Sequence, residues 1–146
     1  MPRPLKINSV NRIIDANFNR LKEGLRVCEE ITRFILDDKK LTAELKGARH
    51  KADSLIRRLD RAELLEDRDT AGDIGKRICA GELKRSGVSG IFFANMQRVK
   101  ESIRVLEEFL KLKDARLALG FKKLRYGIYE IEKKSFKKIA AISYPR

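Results

Sequence analysis

The sequence predicts an all-α protein: four long helices arranged as two duplicated antiparallel hairpins. Three observations carry this. Apolar residues recur at spacings of three, four and seven, and no segment alternates with period two over a useful length. Ala16 to Glu30 (ANFNRLKEGLRVCEE) returns as Ala94 to Glu108 (ANMQRVKESIRVLEE), with nine of fifteen positions identical at a shift of 78. Lys46 to His50 (KGARH) then matches Lys122 to Tyr126 (KKLRY) at a shift of 76, so the repeated unit is a hairpin rather than one helix. Two such hairpins are expected to pack about a pseudo-twofold, as two subunits of a dimer would.

The chain opens with a Pro-containing lead-in, Met1 to Ile7. Asn8 or Ser9 offers a short side-chain oxygen to cap a first helix from Val10 to about Leu36. Its stripe is Ile13, Ile14, Leu21, Cys28, Ile31 and Ile35. A second helix is expected over Leu41 to Leu59, with Leu41, Leu45, Ala48, Ala52, Leu55, Ile56 and Leu59 facing inward. The short loop between them makes an antiparallel hairpin. Residues 60–90 form an irregular insert, where Gly72 and Gly75 break any long helix and a short one is expected from about Ile74 to Leu83. The third helix starts near Ser89 or Gly90 and ends near Leu112. The fourth runs from about Ala115 to Lys138, with Leu117, Leu124, Ile128, Ile131 and Phe136 on its apolar side. The whole reads as one helical domain over 1–146, with repeat halves at about 8–60 and 89–138.

Bulk properties narrow the function. With 34 Lys and Arg against 21 Asp and Glu the chain carries a formal charge of +13, which favours anionic partners. The charge is spread along the sequence and most aromatics fall at apolar helical positions, which argues against a nucleic-acid binder. No run approaches the roughly 18 apolar residues of a membrane span, and no signal-peptide pattern opens the chain, so the expected setting is cytoplasmic. Cys28 stands where the repeat has Leu106 and reads as a buried thiol, and Cys79 is read as a core thiol too. His50 is the only histidine, which argues strongly against a His/Cys zinc site.

Three constellations are candidates for chemistry. Asn17, Arg20 and Glu23, repeated as Asn95, Arg98 and Glu101, step along one helix edge beside the apolar stripe. Asn is a poor helix former in mid-helix, whereas Arg presents a planar fork suited to phosphate and Asn can read a carbonyl or heterocycle edge. A pseudo-twofold would let Asn17 and Arg20 converge with Asn95 and Arg98 on one pocket. The structural alternative is a polar network holding the halves in register. The neighbouring Lys22, Arg26 and Glu29 read as surface ion pairs. The second constellation is Arg68 to Gly75 (RDTAGDIG), where Arg68, Thr70 and Gly72 suit an anion and Asp69 and Asp73 suit Mg²⁺ or a proton. It lacks the spacing and Ser/Thr of a P-loop. The third is Arg49 with His50, matched by Arg125 with Tyr126.

Taken in order, RIIDANFNRLKEGLRVCEEITRFILDD, LKGARH, RDTAGDIG, ANMQRVKESIRVLEEFLKL and KKLRYGIYEIEKK cover nearly the whole chain. This succession resembles the alternative hydroxymethylpyrimidine-phosphate kinase family, a helical domain of thiamine biosynthesis often fused to the N-terminus of bacterial thiamine-phosphate synthase. The synthase barrel is absent from the sequence. The resemblance implies ATP-dependent phosphorylation of a hydroxymethylpyrimidine phosphate to the diphosphate, with Mg²⁺. It assigns no residue roles. On the residues' own chemistry, Asp69, Asp73, Glu23 and Glu101 are the candidates for Mg²⁺ ligation or for orienting the attacking oxygen. Asn17, Arg20, Asn95, Arg98, Arg49, His50, Arg68, Thr70, Gly72 and Arg125 are those for binding substrate and phosphate. The alternative is a non-enzymatic helical module that binds a pyrimidine ligand or a thiamine-pathway enzyme such as thiamine-phosphate synthase. Self-association is also open.

Overall fold

The computed structural model describes residues 1–77 and 80–142. It contains five α-helices: α1 (Ile7–Phe34), α2 (Lys39–Ile56), α3 (Arg61–Glu66), α4 (Gly87–Leu110) and α5 (Ala115–Ala140), with a 3₁₀ turn at Ala80–Leu83. No strand occurs among the described residues, so the all-α expectation holds. The four long helices close into a ring, α1 against α2 and α4, and α5 against α4 and α2. Ring neighbours run antiparallel. The Cys28 thiol donates to the Phe92 carbonyl at 3.6 Å, while Gly24, earlier on α1, lies against Asn95 and Val99, later on α4.

Local chemistry sets the element ends. Asp38 caps α2 by accepting from the Leu41 N–H at 2.9 Å, and Asp114 caps α5 by accepting from Arg116 and Leu117. The Asp38 carboxylate is also bound by Lys138 of α5, and the Leu41 N–H followed by Lys138 holds it below its ordinary pKa. The α1 end is made by Asp37, which enters the left-handed region at φ 49°, and by the Asp38 N–H returning to the Thr32 carbonyl. Asp tolerates that conformation better than most residues. Ile35 therefore falls beyond the helix and is exposed, contrary to its place in the predicted stripe. The α1 cap differs too. The helix begins at Ile7 with Lys6 as N-cap and no side-chain cap, so Asn8 and Ser9 lie inside the first turn.

The core is built from one face of each long helix. Ile14, Leu21, Leu25 and Cys28 of α1 meet Phe92, Met96, Ile103 and Leu106 of α4, with Leu45 and Ile56 of α2 and Phe121 and Ile128 of α5 completing it. Each fully buried side chain of this kind stabilises the fold by about 1.5–3 kcal/mol. Cys28 is a buried core thiol as expected, and burial pushes its pKa up to about 12. Cys79 lies outside the described residues. On α5 the inward positions are Ser135 and Ile139 rather than Phe136, which is exposed because the stripe drifts around the helix over its last two turns.

The duplication is visible in the contacts. Lys22 pairs with Asp53 at 2.6 Å and Lys100 with Glu132 at 2.9 Å. Glu29 is held by Arg49 at 3.1 Å and Glu107 by Arg125 at 2.5 Å. Arg26 lies beside Glu29 and Glu30 as Arg104 lies beside Glu107 and Glu108. Asn17 and Asn95 each donate to the carbonyl four residues back, at 2.8 Å in both copies. Glu29 is thus not a surface charge. It is 3 % exposed, and its ion pair spans the α1–α2 interface.

Candidate functional site

The insert supplies the structure that makes one half of the molecule unlike the other. Asp60 caps α3 by accepting from the Ala62 and Glu63 N–H groups, and Leu64 anchors that helix in the core. The α3 helix answers to no sequence expectation, being only six residues long. It is tied to α1 by Asn11, a fully buried residue whose amide donates to Glu63 at 3.2 Å and to Asp67 at 2.7 Å. One turn further along α1, Asp15 accepts two hydrogen bonds from the Arg68 guanidinium, at 2.7 and 2.8 Å. These bonds hold the Arg68 pKa above its ordinary value.

Beyond Arg68 the chain makes tight turns rather than the helix expected from Ile74. The Asp69 carboxylate accepts from the Gly72 N–H and the Asp73 carboxylate from the Gly75 N–H, each at 2.8 Å, and Lys76 donates to the Ala71 carbonyl. These are Asx-type turns, in which the side chain stands in for a backbone acceptor. A Cβ on Gly72 would meet the Asp69 carboxylate, so a side chain there would push the carboxylate off the Gly72 N–H.

Between α1 and this loop lies an open cavity of about 520 Å³. Its α1 wall carries Arg12, Ile13, Ala16, Asn17 and Arg20, and its loop wall carries Arg68, Asp69, Thr70 and Asp73. Arg68 is neutralised by Asp15. That leaves two guanidiniums, Arg12 and Arg20, on the helix and two carboxylates, Asp69 and Asp73, on the loop. The cavity is therefore polarised, positive on one wall and negative on the other. Arg20 is oriented by Asn17, whose side-chain oxygen accepts from it at 3.3 Å while the Asn17 amide donates to the Ile13 carbonyl. Asn17 is 5 % exposed. Each end of its amide makes one hydrogen bond, and its oxygen orients Arg20.

The structure thus gathers Asn17, Arg20, Arg68, Asp69, Thr70 and Asp73, from two of the three constellations, around one cavity. It does not bring Asn95 and Arg98 there. Asn95 lies against Gly24, seven residues and about 10 Å along α1 from Asn17. The expected convergence of the two Asn/Arg pairs is not formed, because the pseudo-twofold axis passes near Leu21 and Val99 and sets the pairs on either side of it. Glu23 and Glu101 are exposed and line no part of the cavity, Glu101 accepting from Gln97. Arg49 and Arg125 are occupied by the buried Glu29 and Glu107. Hydrogen bonding to Glu107 holds the Arg125 pKa above its ordinary value. His50 and its counterpart Tyr126 stand exposed on the outer surface. Arg12, Asp15 and Asn11 belong to the cavity or its support, and repeat analysis passes over them, since their counterparts are Gly90, Phe93 and Ser89.

Magnesium asks for one or two carboxylates together with ligand phosphates. Asp69 and Asp73 fit that, since each keeps carboxylate lone pairs beyond the N–H bond it accepts. Among the described residues no group of three or more His, Cys, Asp or Glu comes together as a closed metal cage. Among the described residues no helix is long and apolar enough to cross a membrane.

The chain has close relatives among known proteins. A thiamine-phosphate synthase of Rhodopirellula baltica is 42% identical over 122 residues, covering 83% of this chain and 32% of that protein. The thiamine-phosphate synthase of Synechocystis sp. (strain ATCC 27184 / PCC 6803 / Kazusa) is 39% identical over 125 residues, 85% of this chain and 35% of that protein. That of Nostoc punctiforme is 39% identical over 124 residues, 84% and 34% respectively. The chain spans about a third of the length of these curated relatives. No solved structure matches it. The ThiD2 family matches residues 12–134, which takes in both repeat halves, α3 and the loop of the cavity, and the chain belongs to that family.

Proposed function

We propose that the chain is a phosphotransferase of thiamine biosynthesis, converting a hydroxymethylpyrimidine phosphate to its diphosphate at the expense of ATP. The observation that carries this is the polarised cavity between α1 and the Arg68–Asp73 loop. Phosphoryl transfer asks a protein for positioning and charge neutralisation more than for covalent chemistry. A wall of guanidiniums facing a wall of carboxylates suits a phosphate ester with a divalent cation between it and the loop. That the relatives are thiamine-phosphate synthases supports the pathway.

In this reading Arg20, set by Asn17, holds a phosphate oxygen by charge-assisted hydrogen bonds. Thr70 offers a hydroxyl beside it, and the Asp15–Arg68 pair fixes the loop over the ligand. Asp69 and Asp73 are the residues that would hold Mg²⁺, which when bound neutralises charge on the phosphates. An oxygen of the pyrimidine's monophosphate forms a new bond to the γ-phosphorus of ATP, the bond from that phosphorus to the β-bridging oxygen breaks, and ADP leaves. Incubating the purified chain with ATP, Mg²⁺ and 4-amino-5-hydroxymethyl-2-methylpyrimidine phosphate is expected to yield the pyrimidine diphosphate and ADP in equal amounts. No diphosphate by mass spectrometry would sink the proposal.

A second reading rests on the relatives being thiamine-phosphate synthases. It is a non-enzymatic helical module that binds a pyrimidine ligand or a thiamine-pathway enzyme. It predicts ligand or synthase binding with no turnover in the same assay.

A further inference from the structure

Arg12 is half-buried on the α1 wall of the cavity, and no carboxylate or other polar partner meets it among the described residues. Arg20, on the same wall, has only the neutral Asn17. The two are eight residues apart, about 12 Å along the helix. Between them sits the Asp15–Arg68 pair, which is mutually neutralised. Their backbone positions thus lie about two helical turns apart, on either side of that pair. The repeat sharpens the point: α4 keeps Arg20 as Arg98 but has Gly90 in the place of Arg12 and Phe93 in the place of Asp15. Phe93 packs on Phe136, with ring centroids 5.5 Å apart, where Asp15 binds Arg68. The bundle therefore does not need Arg12 or Asp15. The cavity does.

We propose that Arg12 forms a second anion subsite in this cavity, separate from the Arg20–Asn17 end. The cavity then holds two phosphoryl-bearing groups at once, one on each side of the Asp15–Arg68 pair. This rests on reading the cavity as a phosphoryl-ligand site and adds that its occupant is either two anions side by side or one extended polyanion. Asp69 and Asp73 line the same cavity from the loop wall.

The test uses inorganic phosphate as probe on the full chain, following the arginine Nε–H resonances by NMR. The Arg12 and Arg20 resonances are expected to shift along separate isotherms. Arg12→Gln is expected to leave the Arg20 isotherm within about twofold, and Arg20→Gln to leave that of Arg12 likewise, while Arg12→Lys keeps its own subsite to within about tenfold. A single shared isotherm, lost on either substitution, overturns the proposal, as does an Arg12 resonance unmoved once Arg20 is saturated. Far-UV circular dichroism and the urea midpoint show that each variant is folded. In the phosphotransfer assay Arg12→Gln is expected to raise KM about tenfold for one substrate and leave the other within about twofold. An equal rise for both overturns the division into two ends. Absence of turnover in the unsubstituted chain tells against the kinase reading alone, and the phosphate titration still decides the role of Arg12.

Discussion

The Glu29 carboxylate is buried at the α1–α2 interface and the Arg49 guanidinium grips it, Nε at 3.1 Å and Nη2 at 3.4 Å. Glu107 and Arg125 repeat the arrangement between α4 and α5. A buried pair adds little net stability, because desolvation offsets attraction, but removing one partner strands a charge. Arg49→Ala and Arg125→Ala are each expected to cost about 3 kcal/mol in urea denaturation, with phosphate affinity of the folded protein unchanged. A loss of affinity at full stability would return these arginines to the site.

Cys28 has its pKa raised from an ordinary 9.0 to about 12 by burial, with the Glu132 charge a smaller cause. A pKa raised in the folded state means that the protonated form is the one folding favours. Its contribution is fully present below pH 9.0, the unfolded value, and is lost as pH rises towards about 12. In a Cys79→Ser background, where Cys28 is the only thiol, a disulfide reagent at neutral pH is expected to react at the rate of global unfolding. Reaction as fast as with free cysteine would contradict the burial.

Two glycines in helices predict opposite outcomes. A Cβ on Gly24 would meet Val99 Cγ2 at 2.7 Å and the Asn95 carbonyl oxygen at 3.0 Å, whereas one on Gly47 meets nothing within 4 Å. Gly24→Ala is expected to destabilise by about 1–3 kcal/mol through overpacking against α4. Gly47→Ala is expected to stabilise by about 0.8 kcal/mol through helix propensity. Thermal melts of the two variants read the sign directly.

At the cavity, Arg68→Ala removes the loop's ion pair to Asp15. The pair is partly exposed, so the stability loss is expected to stay below about 1 kcal/mol. Limited proteolysis within residues 67–77 is expected to accelerate, and the KM for the phosphorylated pyrimidine to rise. Unchanged proteolysis would mean that Asn11 alone holds the loop.

Asp69→Asn and Asp73→Asn keep a side-chain oxygen for the Gly72 and Gly75 N–H groups and so keep the turns. Each is expected to raise the Mg²⁺ concentration needed for half-maximal phosphotransfer while leaving phosphate binding without Mg²⁺ intact. A matched loss of phosphate binding would give these carboxylates a structural role instead.

By itself the sequence determined the four long helices, their hairpin pairing and the duplication. Apolar spacing and repeated polar residues are local patterns, and a pattern copied at a shift of 78 survives any tertiary arrangement. It also drew attention to Asn17, Arg20 and the Arg68–Asp73 loop. Only the tertiary structure decided which polar residues share a space. Glu29 and Arg49 are 20 residues apart in the chain and become one buried pair; Asp15 and Arg68 are 53 apart and become the ion pair that ties the loop to α1. Antiparallel packing about Leu21 and Val99 is what parts Asn17 from Asn95, since a twofold axis through mid-helix sends equivalent residues to opposite ends. The six-residue α3 was illegible for a related reason. So short a helix has no periodicity of its own, and it stands because Asp60 caps it, Leu64 is buried and Asn11 binds it from α1.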